Sequence, residues 1–204
     1  EIRFCDWSSD VCSSDLAASA IQQIESSTGI RFNFLSPVNE PQWDWSDGRQ
    51  EWCPYTNTEI SNLVKSFDTE LAAQHSGIKI LVPEAGHLKY FLSNSDKMNK
   101  DNQVNTFFDP ASPQYIGNLS SVYPAAASHS YFSTSPAKEA IDLRKKVNDV
   151  MNTKTGLQFW QSEYCILGDN AGEIDGNNRD LGMSSAMYIA KVIQQDLVWL
   201  NARF

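Results

Sequence analysis

Residues 56–82 read TNTEISNLVKSFDTELAAQHSGIKILV, and this stretch decides the fold class. Thr56 and Glu59 stand three apart just ahead of an apolar run, the signature of a capping box at a helix start. Ile60, Leu63, Val64, Phe67 and Leu71 then recur at helical spacing. Gly77 closes that segment. IKILV at 78–82 is nearly all apolar, as a strand buried on both faces is. Upstream, RFNFL at 31–35 sets aromatic residues at alternate positions and runs into Ser36-Pro37, where a regular element stops. The reading is strand, helix, strand.

The pattern repeats outward. Residues 17–27 form a predicted helix with Ile21 and Ile24 three apart and Gly29 after it. AAASHSYF at 125–132 fits a third strand. Pro136 then starts a helix that runs to about Met151, with Ala140, Leu143, Val147 and Val150 on one side. LQFWQ at 157–161 is a fourth strand. A last helix over 183–201 carries Ala186, Met187, Ala190, Ile193 and Leu197. Strands alternating with helices of this length imply an α/β fold around a parallel sheet, here four units preceded by one helix. The polar stretch 93–105 is long enough to be either functional or disordered.

The bulk numbers narrow the function. The net charge is −9 and no run of Lys or Arg occurs, which argues against a nucleic-acid partner. No apolar stretch reaches the 18 or so residues of a membrane span. There is no serine nucleophile elbow, phosphate-binding loop, dinucleotide fingerprint or HExxH. Residues 5–16 read CDWSSDVCSSDL, without helical or strand period. The run resembles the in-frame translation of a sequencing-library adapter, so residues 1–16 are expected to be non-native. That leaves Cys53 and Cys165, too few for a metal-ligand pattern or a disulfide framework. The two thiols pairing and both staying free are equally open.

Two acidic residues stand at strand ends. Glu40 lies in SPVNEP at 36–41 and Glu163 in WQSEY at 160–164. Carboxyl pairs in such places suit glycoside hydrolysis, in which one protonates the leaving oxygen and the other attacks the anomeric carbon or activates water. A lone glutamate after a strand is more often simply solvated, so context matters. SPVNEPQWDW at 36–45, PEAG at 83–86, SHSY at 128–131 and WQSEYC at 160–165 together resemble glycoside hydrolase family 30 of clan A. The nearest likeness is to its endo-β-1,6-galactanase-like members.

The resemblance implies a partial (β/α)8 TIM barrel over 17–204, holding strands four to seven with their helices. Strands one to three would precede it and strand eight would follow Phe204. It implies a retaining mechanism with Glu40 as acid/base and Glu163 as nucleophile. It also implies that Asn39 bonds the sugar 2-hydroxyl, that Tyr131 orients the nucleophile and that His129 lines the site. Trp43 and Trp45 follow the acid/base in a loop and offer faces for stacking on sugar, with loop core as the alternative for one of them. Glu84 either lines the cleft or holds a loop. Trp160 is expected in packing, and His75 and His87 as ordinary polar residues. Glu51-Trp52-Cys53 departs from the Glu-Gly-Cys of similar sequences, which opens the sugar preference.

The expected partner is therefore a polysaccharide or oligosaccharide, with no cofactor and no metal. Secretion or a periplasmic location follows from a polymeric substrate. A glucosylceramidase, β-1,6-glucanase or xylanase of the same family is the nearest alternative, and a non-catalytic carbohydrate-binding barrel the more distant one. Half a barrel leaves its interior open and its sheet edges bare. The chain alone is thus expected to be poorly soluble or partly unfolded, and inactive.

Overall fold

The computed structural model describes residues 10–44, 53–74 and 77–203. The elements run α1 (Asp10–Thr28), β1 (Phe34–Leu35), α2 (Asn57–Ala73), β2 (Lys79–Ala85), α3 (Gln103–Phe108), β3 (Val122–His129), α4 (Ala137–Met151), β4 (Gln158–Glu163), α5 (Met183–Trp199) and β5 (Ala202–Arg203). The five strands form one sheet in sequential order, β1-β2-β3-β4-β5. Every neighbouring pair is parallel. This is an α/β fold with helices between parallel strands, consistent with part of a (β/α)8 barrel.

The α2–β2 unit forms as its sequence dictates. The Thr56 side chain accepts from the Glu59 amide at 3.3 Å, and Glu59 accepts from the Thr56 amide at 2.7 Å, closing the capping box. Ile60, Leu63, Val64, Phe67 and Leu71 are all buried, and join Ile80 and Val82 of β2 in the core. Each such side chain contributes about 1.5–3 kcal/mol of transfer free energy.

Four expectations change in detail. Helix α1 begins at Asp10, seven residues before the predicted start, so regular structure reaches into the stretch with no evident period. Its packing explains this: α1 lies along α2, and Ser14, Ala17 and Ala18 are buried. The strand expected over 31–35 shrinks to Phe34–Leu35, which has β2 as its one neighbour among the described residues. The strand expected over 125–132 starts earlier and stops at His129, because the chain turns at Phe132 with φ +54°. A fifth strand occurs inside the chain: Ala202 and Arg203 pair with Phe159 and Trp160.

The polar stretch over 93–105 is ordered rather than loose, and its last residues enter α3. It braces the loop after β1. Lys100 Nζ donates to the Pro41 carbonyl at 2.9 Å, and Gln42 Nε2 reaches the Lys100 carbonyl at 3.2 Å and Gln103 Oε1 at 3.0 Å. A second brace lies behind β3. Arg144 of α4 is fully buried and donates to Asp196 of α5 at 2.7 Å and to the Ser133 carbonyl at 2.6 Å. Asp196 also accepts from Ser130. A buried pair of this kind is costly to break on one side only, so the turn after β3 is held firmly.

Alternation along β4 buries Phe159 and turns Trp160 to the opposite face. There Trp160 meets Phe34 and Tyr123 with ring centroids 5.0 and 5.1 Å away. This aromatic cluster on the sheet gives Trp160 the packing role expected of it.

Candidate active site

The C-terminal ends of four strands converge. Glu40 follows β1, Glu84 is the next-to-last residue of β2, and His129 and Glu163 are the last residues of β3 and β4. Irregularities in the ladder aim them. The β2–β3 register shifts between Pro83 and Ala85, and the β3–β4 register between Ser128 and His129. Bulges of this kind redirect side chains beside functional sites. Glu40 and Glu84 also take φ values of +46° and +51°. Such backbone costs a non-glycine residue about 1–3 kcal/mol and persists only where its surroundings enforce it.

His129 is the centre of the group, with a side chain 1% exposed. Its Nδ1 lies 2.8 Å from Glu40 Oε1. Its Nε2 faces Glu84 Oε2 at 3.5 Å and Glu163 Oε2 at 4.0 Å. Burial works against a charged ring, but the hydrogen bonds and charges of Glu40 and Glu84 outweigh it and raise its pKa to about 9. The ring therefore takes up a second proton more readily than an exposed histidine does.

The two glutamates differ in setting. The Glu40 side chain is 12% exposed, and its amide donates to the Glu84 carbonyl at 2.8 Å. Glu163 is 49% exposed and accepts from the Tyr131 hydroxyl at 2.9 Å. The same hydroxyl lies 3.6 Å from Cys165 Sγ. Burial, with Cys165 and Glu163 beside it, pushes the Tyr131 pKa far up, so it stays a phenol and a donor. Single oxygens of Glu40 and Glu163 and a ring nitrogen of His129 all lie within 4.8 Å of one another. That spacing would also let the three hold a cation. A protonated ring presents N–H groups and no lone pair, so at neutral pH the cluster is better suited to a proton.

Asn39 sits beside Glu40, half-buried. Trp43 packs inward: it meets Tyr90 edge-on at 5.6 Å and lies over Gly86, where an added Cβ would fall 2.2 Å from Trp43 Nε1. Gly86 therefore has to lack a side chain for the loop to close. Its amide donates to Gln42 Oε1 at 3.2 Å, which ties the loop after β1 to the end of β2. Trp45, Trp52 and His75 lie outside the described residues. His87 is mostly buried and caps a 3₁₀ turn, accepting from the Lys89 amide at 3.0 Å; burial lowers its pKa to about 4. Cys165 is a free thiol, so it does not pair with Cys53.

Sequence reasoning left Glu84 undecided and passed over Ser36 and Ser162. All three belong to the cluster: both serine hydroxyls donate to the Glu84 carboxylate, one to each oxygen.

A family model for O-glycosyl hydrolase family 30 matches residues 10–203. The chain belongs to O-glycosyl hydrolase family 30. Among solved structures it is similar to a conserved exported protein from Bacteroides fragilis, at a TM-score of 0.85 and 26% identity. The match covers 98% of this chain and 42% of that one. No curated protein sequence matches. Among the described residues, no helix is long and apolar enough to cross a membrane.

Proposed function

We propose that the chain carries the catalytic pair of a retaining, endo-acting hydrolase of β-1,6-linked galactan. Glu163 is the nucleophile and Glu40 the acid/base. The observation that carries this reading is the separation: oxygens of the two carboxyl groups come within 4.8 Å. Retention goes with carboxyl groups about 5–5.5 Å apart, whereas inversion needs about 6.5–9.5 Å to admit a water.

In the first step Glu163 attacks the anomeric carbon while Glu40 gives a proton to the departing oxygen. In the second, Glu40 takes a proton from water, and that water releases the sugar from Glu163. Tyr131 fixes the attacking oxygens by its hydrogen bond. Asn39 bonds the sugar 2-hydroxyl, and His129 lines the site beside Glu40. Trp45 supplies a stacking face, and Trp43 contributes what its inward packing leaves open. The galactan preference rests on the resemblance of the site motifs and is the finest part of the reading.

The sheet is then strands four to seven of a (β/α)8 barrel, with β5 the start of the eighth. Exposed apolar side chains support this. Met183, Met187, Ile193, Leu197 and Val198 of α5 are uncovered at one side, and Ile30 and Phe34 at the other. A cover for both comes from the remaining barrel, in keeping with the 42% of the solved relative that the chain spans. A polymeric substrate and an exported relative support a location outside the cytoplasm.

The test is covalent trapping in the full-length protein. A 2-fluoro galactoside with a good leaving group slows release of the sugar from the enzyme more than its attachment. Peptide mapping is expected to find the sugar on Glu163; a label elsewhere, or none with glycosidase activity intact, removes the assignment. Parallel digests of galactan, glucan and xylan decide the sugar.

A further inference from the structure

We propose that Glu84 is a positioning residue of this site: its buried carboxylate fixes the ring of His129 and, through it, the orientation and the proton of Glu40. The inference rests on the reading of Glu40 as acid/base. Its ground is geometric. Glu84 is 5% exposed, so it lies behind the cleft rather than in it. It touches three other strand ends at once. Its carbonyl accepts the Glu40 amide, and its carboxylate accepts from Ser36 after β1 and from Ser162 in β4. It also faces His129 Nε2 at the end of β3. Those contacts hold in place a residue whose backbone is strained at φ +51°.

The groups facing the His129 ring are Glu40 on the Nδ1 side, and Glu84 and Glu163 on the Nε2 side, with the Tyr131 ring edge-on at 5.8 Å. Carboxylates before Nε2 keep a proton on that nitrogen. The line from Nδ1 to Glu40 Oε1, 2.8 Å long, then holds one further proton. On Glu40 that proton makes the general acid and leaves His129 neutral. On His129 it leaves Glu40 a carboxylate beside an imidazolium. The proton passed to the leaving oxygen in the first step is restored from water in the second, so the pair returns to its starting state. The logic is that of a carboxylate orienting a catalytic histidine, where an amide in its place favours the wrong tautomer.

The experiment uses the full-length protein with ¹⁵N-labelled histidine, the His129 signals being assigned by their loss in His129→Gln. The wild-type ring is expected to titrate near pH 9. Glu84→Gln should lower that midpoint by about 1–2 pH units, the effect of losing one close opposite charge. It should also lower kcat at least about tenfold, a part of the 10²–10⁴ that an acid/base supplies, with KM little changed. The alkaline limb of the pH–rate profile should fall to lower pH by the same amount. Glu84→Asp keeps the charge and should restore most of the midpoint and of kcat. The Ser36→Ala/Ser162→Ala double variant keeps the charge but unties the carboxylate, and should lower the midpoint by less than Glu84→Gln does. If Glu84→Gln folds with an unshifted His129 titration and pH profile, the proposal is wrong. If it does not fold, a double serine variant with an unshifted midpoint, or Glu84→Asp with a midpoint as low as that of an exposed histidine, overturns the proposal instead. A wild type that shows the high midpoint yet cleaves no glycoside sinks the proposed function and leaves the His129–Glu84 coupling standing.

Discussion

The two sides of the cleft are built differently. On the β1–β2 side Glu40 is nearly enclosed, on a strained backbone, with His129 and the Glu84 carbonyl holding it. On the β4 side Glu163 is half open and has the Tyr131 hydroxyl as its strongest neighbour. The contrast fits two tasks. A residue that gives and takes a proton needs a controlled supply of it, so it is surrounded by groups that hold one. A residue that bonds to the substrate has to be reached, so it is exposed and merely aimed.

That contrast can be broken one side at a time in the full-length protein. The largest effect is expected from Glu163→Gln, which should abolish turnover while sparing binding, because no other group can attack. Surviving turnover by steady-state assay would remove the nucleophile from this position. Glu40→Gln should cost about 10²–10⁴ in kcat, and less for substrates whose leaving group needs no proton. An equal loss for good and poor leaving groups would contradict its role as acid. Tyr131→Phe removes a hydrogen bond to a charged group, worth about 1.5–3 kcal/mol, so kcat should fall about 10- to 100-fold. A loss confined to KM would mean that it binds sugar and does not aim Glu163.

The smallest effect is on stability. The His129 pKa is raised, from 6.5 to about 9, so its charge stabilises the fold in full below about pH 6.5. That contribution is lost as pH rises through about 9. Thermal melts should therefore drop between those values, and His129→Gln should flatten that part of the curve. A curve of the same shape in both proteins would contradict the charged ring.

The sequence made the helix–strand framework legible where local signals agree. The Thr56–Glu59 box, the apolar spacing of α2 and the all-apolar β2 each point one way, and each formed. β1 was overread because aromatic alternation at 31–35 cannot say how many residues find a partner. β5 was missed because two residues, Ala202 and Arg203, carry no pattern; their pairing with β4 defines them. The positions of Glu40 and Glu163 at strand ends were legible from their motifs. Glu84 was not, because its setting depends on Ser36, Ser162 and His129, which lie 48, 78 and 45 residues away along the chain. Nothing local marks a glutamate in PEAG as the point where four strand ends meet.

The separation of Glu40 and Glu163 is tested most directly by the configuration of the first product. Proton NMR of β-1,6-galactan digested by the full-length protein should show the β-anomer appearing first and the α-anomer only later, by mutarotation. An α-anomer at the earliest time points would mean inversion, and would contradict a pair close enough for Glu163 to bond the sugar directly.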